Sequence, residues 1–147
     1  MIKLAKSNVT EVDVFVTMES ARETAICVLP CSRKQHLAEM AKEDVCYLTI
    51  YHQEQIVGFV ILAIEGSSVK FRRIVVHPKG LGTGQQAMQA IEGDCLRHLG
   101  ADRIWLDELT ENKRGIHICR KQGYRQCYVL EHTEPCCCLK RSYNRCL

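Results

Sequence analysis

No apolar run in this chain approaches the length of a membrane span, and the residues after Met1 lack the hydrophobic stretch of a secretory signal. The expectation is a cytoplasmic protein with no membrane partner. Charge of one sign is scarce as well: 20 Lys and Arg against 17 Asp and Glu leave a net charge of +3. That balance suits attraction of a phosphorylated small molecule but falls far short of a dedicated nucleic-acid surface. The basic residues are scattered, and aromatics make up only 6% of the chain, so no stacking platform for bases is present. Linkers, internal repeats and low-complexity runs are lacking. The 147 residues are read as one domain, 1–147, with room for a real core.

Paired Cys-x-x-Cys or Cys/His spacings are missing too, which argues against zinc. The ten cysteines are nevertheless many: Cys27, Cys31, Cys46, Cys95, Cys119, Cys127, Cys136, Cys137, Cys138 and Cys146. A disulfide scaffold would need a secreted context and a small core. In an extended Cys136-Cys137-Cys138 run, successive side chains point to opposite faces and do not converge on one metal. The cysteines therefore read as small buried hydrophobes in a reducing compartment, and no metal is expected.

What the chain does have is clear periodicity. Ile2 to Lys6 predicts a strand, and Thr10-x-x-Asp13 a capping box opening a helix that runs to Glu23. After Pro30, Ser32 caps a helix from Arg33 to Lys42 with Leu37, Met40 and Ala41 as its apolar face. Cys46 to His52 and Ile56 to Ile64 predict a hairpin, and Val69 to Val76 a further strand. Ala87, Met88, Ile91, Cys95, Leu96 and Leu99 mark an amphipathic helix ended by Gly100. A strand from Arg103 to Leu109, a helix from Lys113 to Gln122 and strands from Tyr124 to Glu131 and Cys136 to Tyr143 complete the order. The order is β-α-α-β-β-β-α-β-α-β-β, a mixed α/β layout whose helical crossover from Val76 to Arg103 implies one parallel strand pair.

The most informative stretch runs from Arg72 through Val76, His77 and Pro78 to Gln86. An apolar strand ends, glycines recur at Gly80, Gly82 and Gly84, and a helix begins. Glycines let an anion approach the backbone, and the first N–H groups of the helix and its positive dipole end point at it. A P-loop would need Lys-Ser/Thr after the last glycine, where Gln85-Gln86 stands. A dinucleotide fingerprint would need a different glycine spacing in a first βα unit. The glycines also fit a plain tight turn.

Lys79-Gly80-Leu81-Gly82-Thr83-Gly84 resembles the acetyl-CoA loop of the GNAT superfamily of N-acetyltransferases, Gln/Arg-x-x-Gly-x-Gly/Ala, with Lys79 in place of Gln or Arg. Asn112 through Tyr124 resembles the family's second signature, Asn-x-x-Ala-x-x-Leu-Tyr-x-x-x-Gly-Phe. Asn112, Ile118, Gly123 and Tyr124 fit, while Gly115 replaces Ala and Cys119 replaces Tyr. The resemblance implies a single-domain acyl-CoA N-acyltransferase fold. Its sheet would be mixed but mostly antiparallel, flanked by helices and splayed between the fourth and fifth strands. It implies acetyl-CoA as co-substrate, a primary amine as acceptor, no metal, and a homodimer paired through the final strand.

The resemblance also assigns roles. Backbone groups of Ile74, Val75 and Val76 would hold the pantetheine arm and the acetyl carbonyl. The loop from Lys79 and Gly80 through Leu81, Gly82, Thr83, Gly84 and Gln85 would take the pyrophosphate. Asn112 reads as a helix N-cap and, in similar enzymes, also touches the cofactor. Cys119 stands where a Tyr would protonate the departing thiolate; a thiol of ordinary pKa can do so, and a buried packing role fits equally. Many relatives carry a Glu base on the strand that here reads Lys70-Phe71-Arg72-Arg73. The acids left facing the cleft are Asp107 and Glu108; His77 lies close to the glycine loop, and His117 reads as a surface residue. The leading expectation is direct attack of a neutral amine on acetyl-CoA. The alternative is a weak or inactive acyl-CoA-binding sensor on the same fold.

Overall fold

The structure, a computed structural model, describes residues 1–21, 31–77, 82–109, 112–130 and 136–142, with only the backbone at 109, 127–130 and 136–142. In chain order the elements are β1 (Ile2–Lys6), a short 3₁₀ turn (Val9–Glu11), α1 (Val12–Ser20), α2 (Arg33–Met40), β2 (Val45–His52), β3 (Gln55–Glu65), β4 (Ser68–Val76), α3 (Thr83–His98), β5 (Arg103–Leu109), α4 (Lys113–Lys121), β6 (Arg125–Leu130) and β7 (Cys136–Ser142). The expected order and mixed α/β class hold. The predicted turn at 132–135 and the ends at Glu131 and Tyr143 lie outside the described residues.

All seven strands join one sheet in the order β1-β2-β3-β4-β5-β7-β6. Neighbours are antiparallel except β4 and β5, which run parallel as the helical crossover requires. β7 lies between β5 and β6, so both of its edges are already paired, and β1 and β6 form the sheet's edges. The β2–β3 hairpin closes on Gln53 and Glu54, both at positive φ (51° and 66°). That double left-handed turn matches the twist of the flanking strands.

Two apolar layers fasten helices to opposite faces. On one face Ala87, Met88, Ile91 and Cys95 of α3 and Cys119 of α4 pack on Leu48, Ile50, Val60, Leu62, Val69, Phe71, Ile104 and Leu106. Burying an aliphatic side chain completely, as at Ile50, Leu62, Ile91 and Ile104, contributes about 1.5–3 kcal/mol each. On the other face a smaller cluster of Phe15, Tyr47, Phe59, Ile61 and Val75 receives α1 and α2. Its centre is a stack of Phe15 on Phe59, with ring centroids 4.3 Å apart.

Three local expectations are corrected. The capping box is Asn8 with Glu11, not Thr10 with Asp13: Asn8 accepts from the Thr10 N–H, and Glu11 accepts from the Asn8 N–H at 3.0 Å. Asn caps as well as Thr does, so the choice falls to Glu11, which is anchored by Thr49 and Tyr51 of β2. α1 stops at Ser20 because Ala21 turns extended (ψ 138°), short of the expected end at Glu23, which itself lies outside the described residues. α2 ends at Met40 and buries His36, while Ala41 is exposed. A polar residue takes the inward position because its ring is hydrogen-bonded on both sides, as described below. The expected Ser32 cap is present, with Gln35 closing its box.

Candidate active site

β4 and β5 stay paired for only four positions, Ser68 to Phe71 against Arg103 to Leu106. Beyond them β4 continues along β3 to Val76, and β5 continues along β7 to Leu109. The strands therefore diverge, and the expected splay between the fourth and fifth strands is present. A bulge sits at its apex: Leu62 pairs with Phe71 and Ile61 with Arg73, leaving Arg72 unmatched. One extra residue shifts the alternation of faces. Val69 and Phe71 point toward α3 and α4 before the bulge; Ile74 and Val76 do so after it, while Val75 joins the α1–α2 cluster. Past the bulge β4 has β3 on one side and no strand on the other among the described residues. The backbone groups of Ile74, Val75 and Val76 on that side therefore have no partner strand among the described residues. Gly58 of β3 lets β4 lie close, since a Cβ there would stand 2.0 Å from the Val75 carbonyl oxygen.

α3 starts at the open end of this wedge. Its N-cap, Gly82, has φ 75°, a left-handed conformation that favours glycine. The Gln86 N–H closes the first turn on the Gly82 carbonyl at 3.2 Å. The earlier N–H groups at Thr83, Gly84 and Gln85 have no intrahelical acceptor and carry the positive dipole end. Among the described residues, a Cβ at Gly82 or Gly84 would meet nothing within 4 Å. Lys79, Gly80 and Leu81 lie outside the described residues. From Gln85 a groove of about 590 Å³ runs between α3 and α4 past Gln89, Glu92, Lys121 and Gln122.

The acids of β5 divide between the two faces. Glu108 is on the α4 side, where the Asn112 Nδ2 donates to its Oε1 at 2.5 Å and the Asn112 Oδ1 accepts from the Gly115 N–H at 3.2 Å. Burial pushes the Glu108 carboxyl above its usual pKa, with the Asn112 hydrogen bond working against it. Gly115 has room for this and little more: a Cβ would sit 2.7 Å from Asn112 Nδ2 and 3.1 Å from Glu108 Cδ. Asp107 is on the α1–α2 side, its Oδ2 3.1 Å from Lys70 Nζ. Its Oδ1 is buried with no hydrogen-bond partner among the described residues. Cys119 is 5% exposed in the main core. Burial also raises the thiols of Cys46 and Cys95, the latter to about 12, as befits packing residues.

Periodicity did not reveal the polar cluster under α1 and α2. Glu19 and His36 are fully buried. His36 Nε2 donates to Glu19 Oε1 at 2.5 Å, and its Nδ1 lies 2.7 Å from the Tyr47 hydroxyl. Arg73 pairs with the other Glu19 oxygen and reaches Cys31 Sγ at 3.4 Å. Burial works to raise Glu19, but His36 and Arg73 outweigh it and hold the carboxyl below its usual range. Ligand atoms of Glu19, Cys31 and His36 lie within 4.8 Å of one another. The Arg73 guanidinium already supplies a cation to the Glu19 carboxylate. Next to it Arg72 pairs with Glu39 at 2.7 Å, and His77 donates to the Met18 carbonyl at 3.3 Å. Arg72, Arg73 and His77 thus tie β4, from the bulge to its end, to α1 and α2.

A wedge between parallel strands, an apical bulge and a glycine-capped helix at its mouth coincide with a match to the acetyltransferase (GNAT) family model over residues 14–124. The chain belongs to the GNAT acetyltransferase family. No curated protein matches it. Solved structures share the fold at low identity. The Escherichia coli ribosomal-protein-S18-alanine N-acetyltransferase aligns with 13% identity over 99% of this chain and 96% of that one, TM-score 0.83. The Vibrio cholerae spermidine N-acetyltransferase, in complex with CoA and spermine, aligns with 14% identity over 96% and 95%, TM-score 0.83. An aminoglycoside acetyltransferase in complex with coenzyme A aligns with 12% identity over 97% and 95%, TM-score 0.84. Among the described residues no helix of this GNAT chain is long and apolar enough to cross a membrane.

Proposed function

We propose that this chain transfers an acetyl group from acetyl-CoA to a primary amine. The observation that carries the reading is the β4–β5 wedge with the N-terminus of α3 at its mouth. Such a wedge places an unpaired strand edge and an anion site along one line. The pyrophosphate sits on the N–H groups from Leu81 to Gln85, with Lys79 adding charge. The pantetheine arm lies along Ile74, Val75 and Val76, and a β4 N–H polarises the thioester carbonyl. The CoA complexes of the spermidine and aminoglycoside enzymes support the choice of cofactor.

The amine enters from the α1–α2 side. Its nitrogen attacks the carbonyl carbon, the C–N bond forms, the C–S bond breaks, and the thiolate takes up a proton. Asp107 Oδ1, buried at the apex without a partner among the described residues, is placed to accept the amine proton. Glu108 lies on the other face and holds Asn112, so it is a positioning residue. A second reading, acyl-CoA binding without turnover, draws support from the burial of Cys119 in the core, which leaves its thiol little room to act as an acid. Calorimetric titration of acetyl-CoA and CoA into the reduced protein tests both readings, followed by an amine panel with wild type, Asp107→Asn and Cys119→Ala. Micromolar binding with turnover supports the transferase. Binding without turnover supports the second reading, and no binding at hundreds of micromolar overturns both.

A further inference from the structure

At the apex of the wedge the chain's own lysine lies where a substrate amine could lie. Lys70 Nζ stands 4.6 Å above the ring of Trp105 and 3.1 Å from Asp107 Oδ2. The parallel register pairs Lys70 with Trp105, and Asp107, two residues further on, shares that face. Leu106 is the last paired residue of β5 along β4, so Asp107 is the first residue inside the opening. An aromatic face joined to a carboxylate is a receptor for an ammonium group. The second Asp107 oxygen, buried and unpartnered among the described residues, leaves that receptor half used. The Lys70 and Asp107 side chains are 30% and 26% exposed, so the site opens to solvent and the lysine can swing away.

We propose that Trp105 and Asp107 form the acceptor subsite for an unbranched primary alkylammonium, and that Lys70 occupies it when no acceptor is bound. The proposal deepens the acetyltransferase reading by naming its acceptor class, and it relies on that reading only for where the acetyl group lies. Lys70 is itself a primary ammonium on an unbranched alkyl stem, so the structure shows a group of this shape in place. The ammonium of an α-amino acid fits poorly, because its carboxylate would come up against Asp107. The matching chemistry occurs in a diaminoalkane and in a lysine side chain.

Trp105 is the only tryptophan in the chain, so its emission reports on this subsite without acetyl-CoA. The test titrates n-butylammonium chloride into the reduced protein, with n-butanol and sodium chloride as controls. Wild type should show a saturable change in emission. Lys70→Met, which keeps the stem and removes the competing charge, should bind about tenfold more tightly, and Asp107→Asn should lose the response. Thermal melts establish that each variant is folded. Repeating the titration with 1,4-diaminobutane and with a short lysine-containing peptide identifies the source of the amine. A flat response in wild type and in folded Lys70→Met, or equal affinity in the two, overturns the subsite. Ammonium binding without acetyl-CoA binding would remove the transferase reading and leave the subsite standing. Turnover of alkylamines with a KM that Lys70→Met does not lower would do the reverse.

Discussion

Asn112 Nδ2 donates to Glu108 Oε1 at 2.5 Å, tying the cap of α4 to the tip of β5. Burial raises Glu108 in the folded state despite that bond. A raised carboxyl contributes stability below its unfolded pKa of about 4.3, and that contribution is lost as pH rises through the folded value. Glu108→Gln keeps an acceptor for Asn112 and removes the ionisation. Its melting temperature should exceed that of wild type at pH 7 to 8, and the gap should close as pH falls toward about 4.3. A variant less stable than wild type at every pH would show that the charge is needed in the fold.

Glu19 has the opposite sign. Held below its usual range by His36 and Arg73 against the effect of burial, it contributes stability above the unfolded pKa and loses it as pH falls through the folded one. Arg73→Met strands a carboxylate that is fully buried; breaking such a pair costs about 3–5 kcal/mol. Urea unfolding of Arg73→Met, Glu19→Gln and the double variant forms a cycle. The double variant should be less destabilised than the sum of the singles. Additive losses would mean that the two side chains do not interact.

Much of this architecture was legible in the sequence, because it rests on period and punctuation. β1, with its bounds at Ile2 and Lys6, and β5, between Arg103 and Leu109, emerged from apolar patterning, and α3 emerged from a repeat that ends at Gly100. The splay was implied only by the family resemblance, since pattern says nothing of where two strands part. The bulge at Arg72 was hidden for the same reason: an extra residue shows only against its partner strand. The buried cluster broke the pattern outright. Glu19 and His36 are polar by type, and only contact between α1, α2 and β4 makes them core residues. The pairing of Lys70 with Trp105 needed the parallel register, which no single-chain period encodes.

Gly58 and the bulge define where β4 can lie. A Cβ at Gly58 would meet the Val75 carbonyl oxygen at 2.0 Å, well inside any real contact. Backbone cannot move as a side-chain tip can, so Gly58→Ala must push β4 outward at the segment assigned to pantetheine. Overpacking of this kind costs about 1–3 kcal/mol. The variant should melt lower than wild type and bind acetyl-CoA more weakly when measured below its melting range. Unchanged stability would show that β3 and β4 have slack at this point.

Gly82 provides a sharper test of the proposed pyrophosphate site, because space and backbone strain separate there. Among the described residues, a side chain at Gly82 would touch nothing within 4 Å, so adding one disturbs none of their packing. Its φ of 75° nevertheless lies in the left-handed region, where alanine costs about 1–2 kcal/mol and asparagine less. Gly82→Ala should therefore turn the first N–H groups of α3 away from the wedge and weaken CoA by about tenfold, with Gly82→Asn in between. Pantetheine, which lacks the pyrophosphate, separates the possible causes. If it binds Gly82→Ala as well as wild type while CoA binds less well, the loss belongs to the phosphates and the turn is their site. If both ligands weaken together, the substitution has disturbed the β4 edge instead. If neither changes, the glycine serves only to turn the chain.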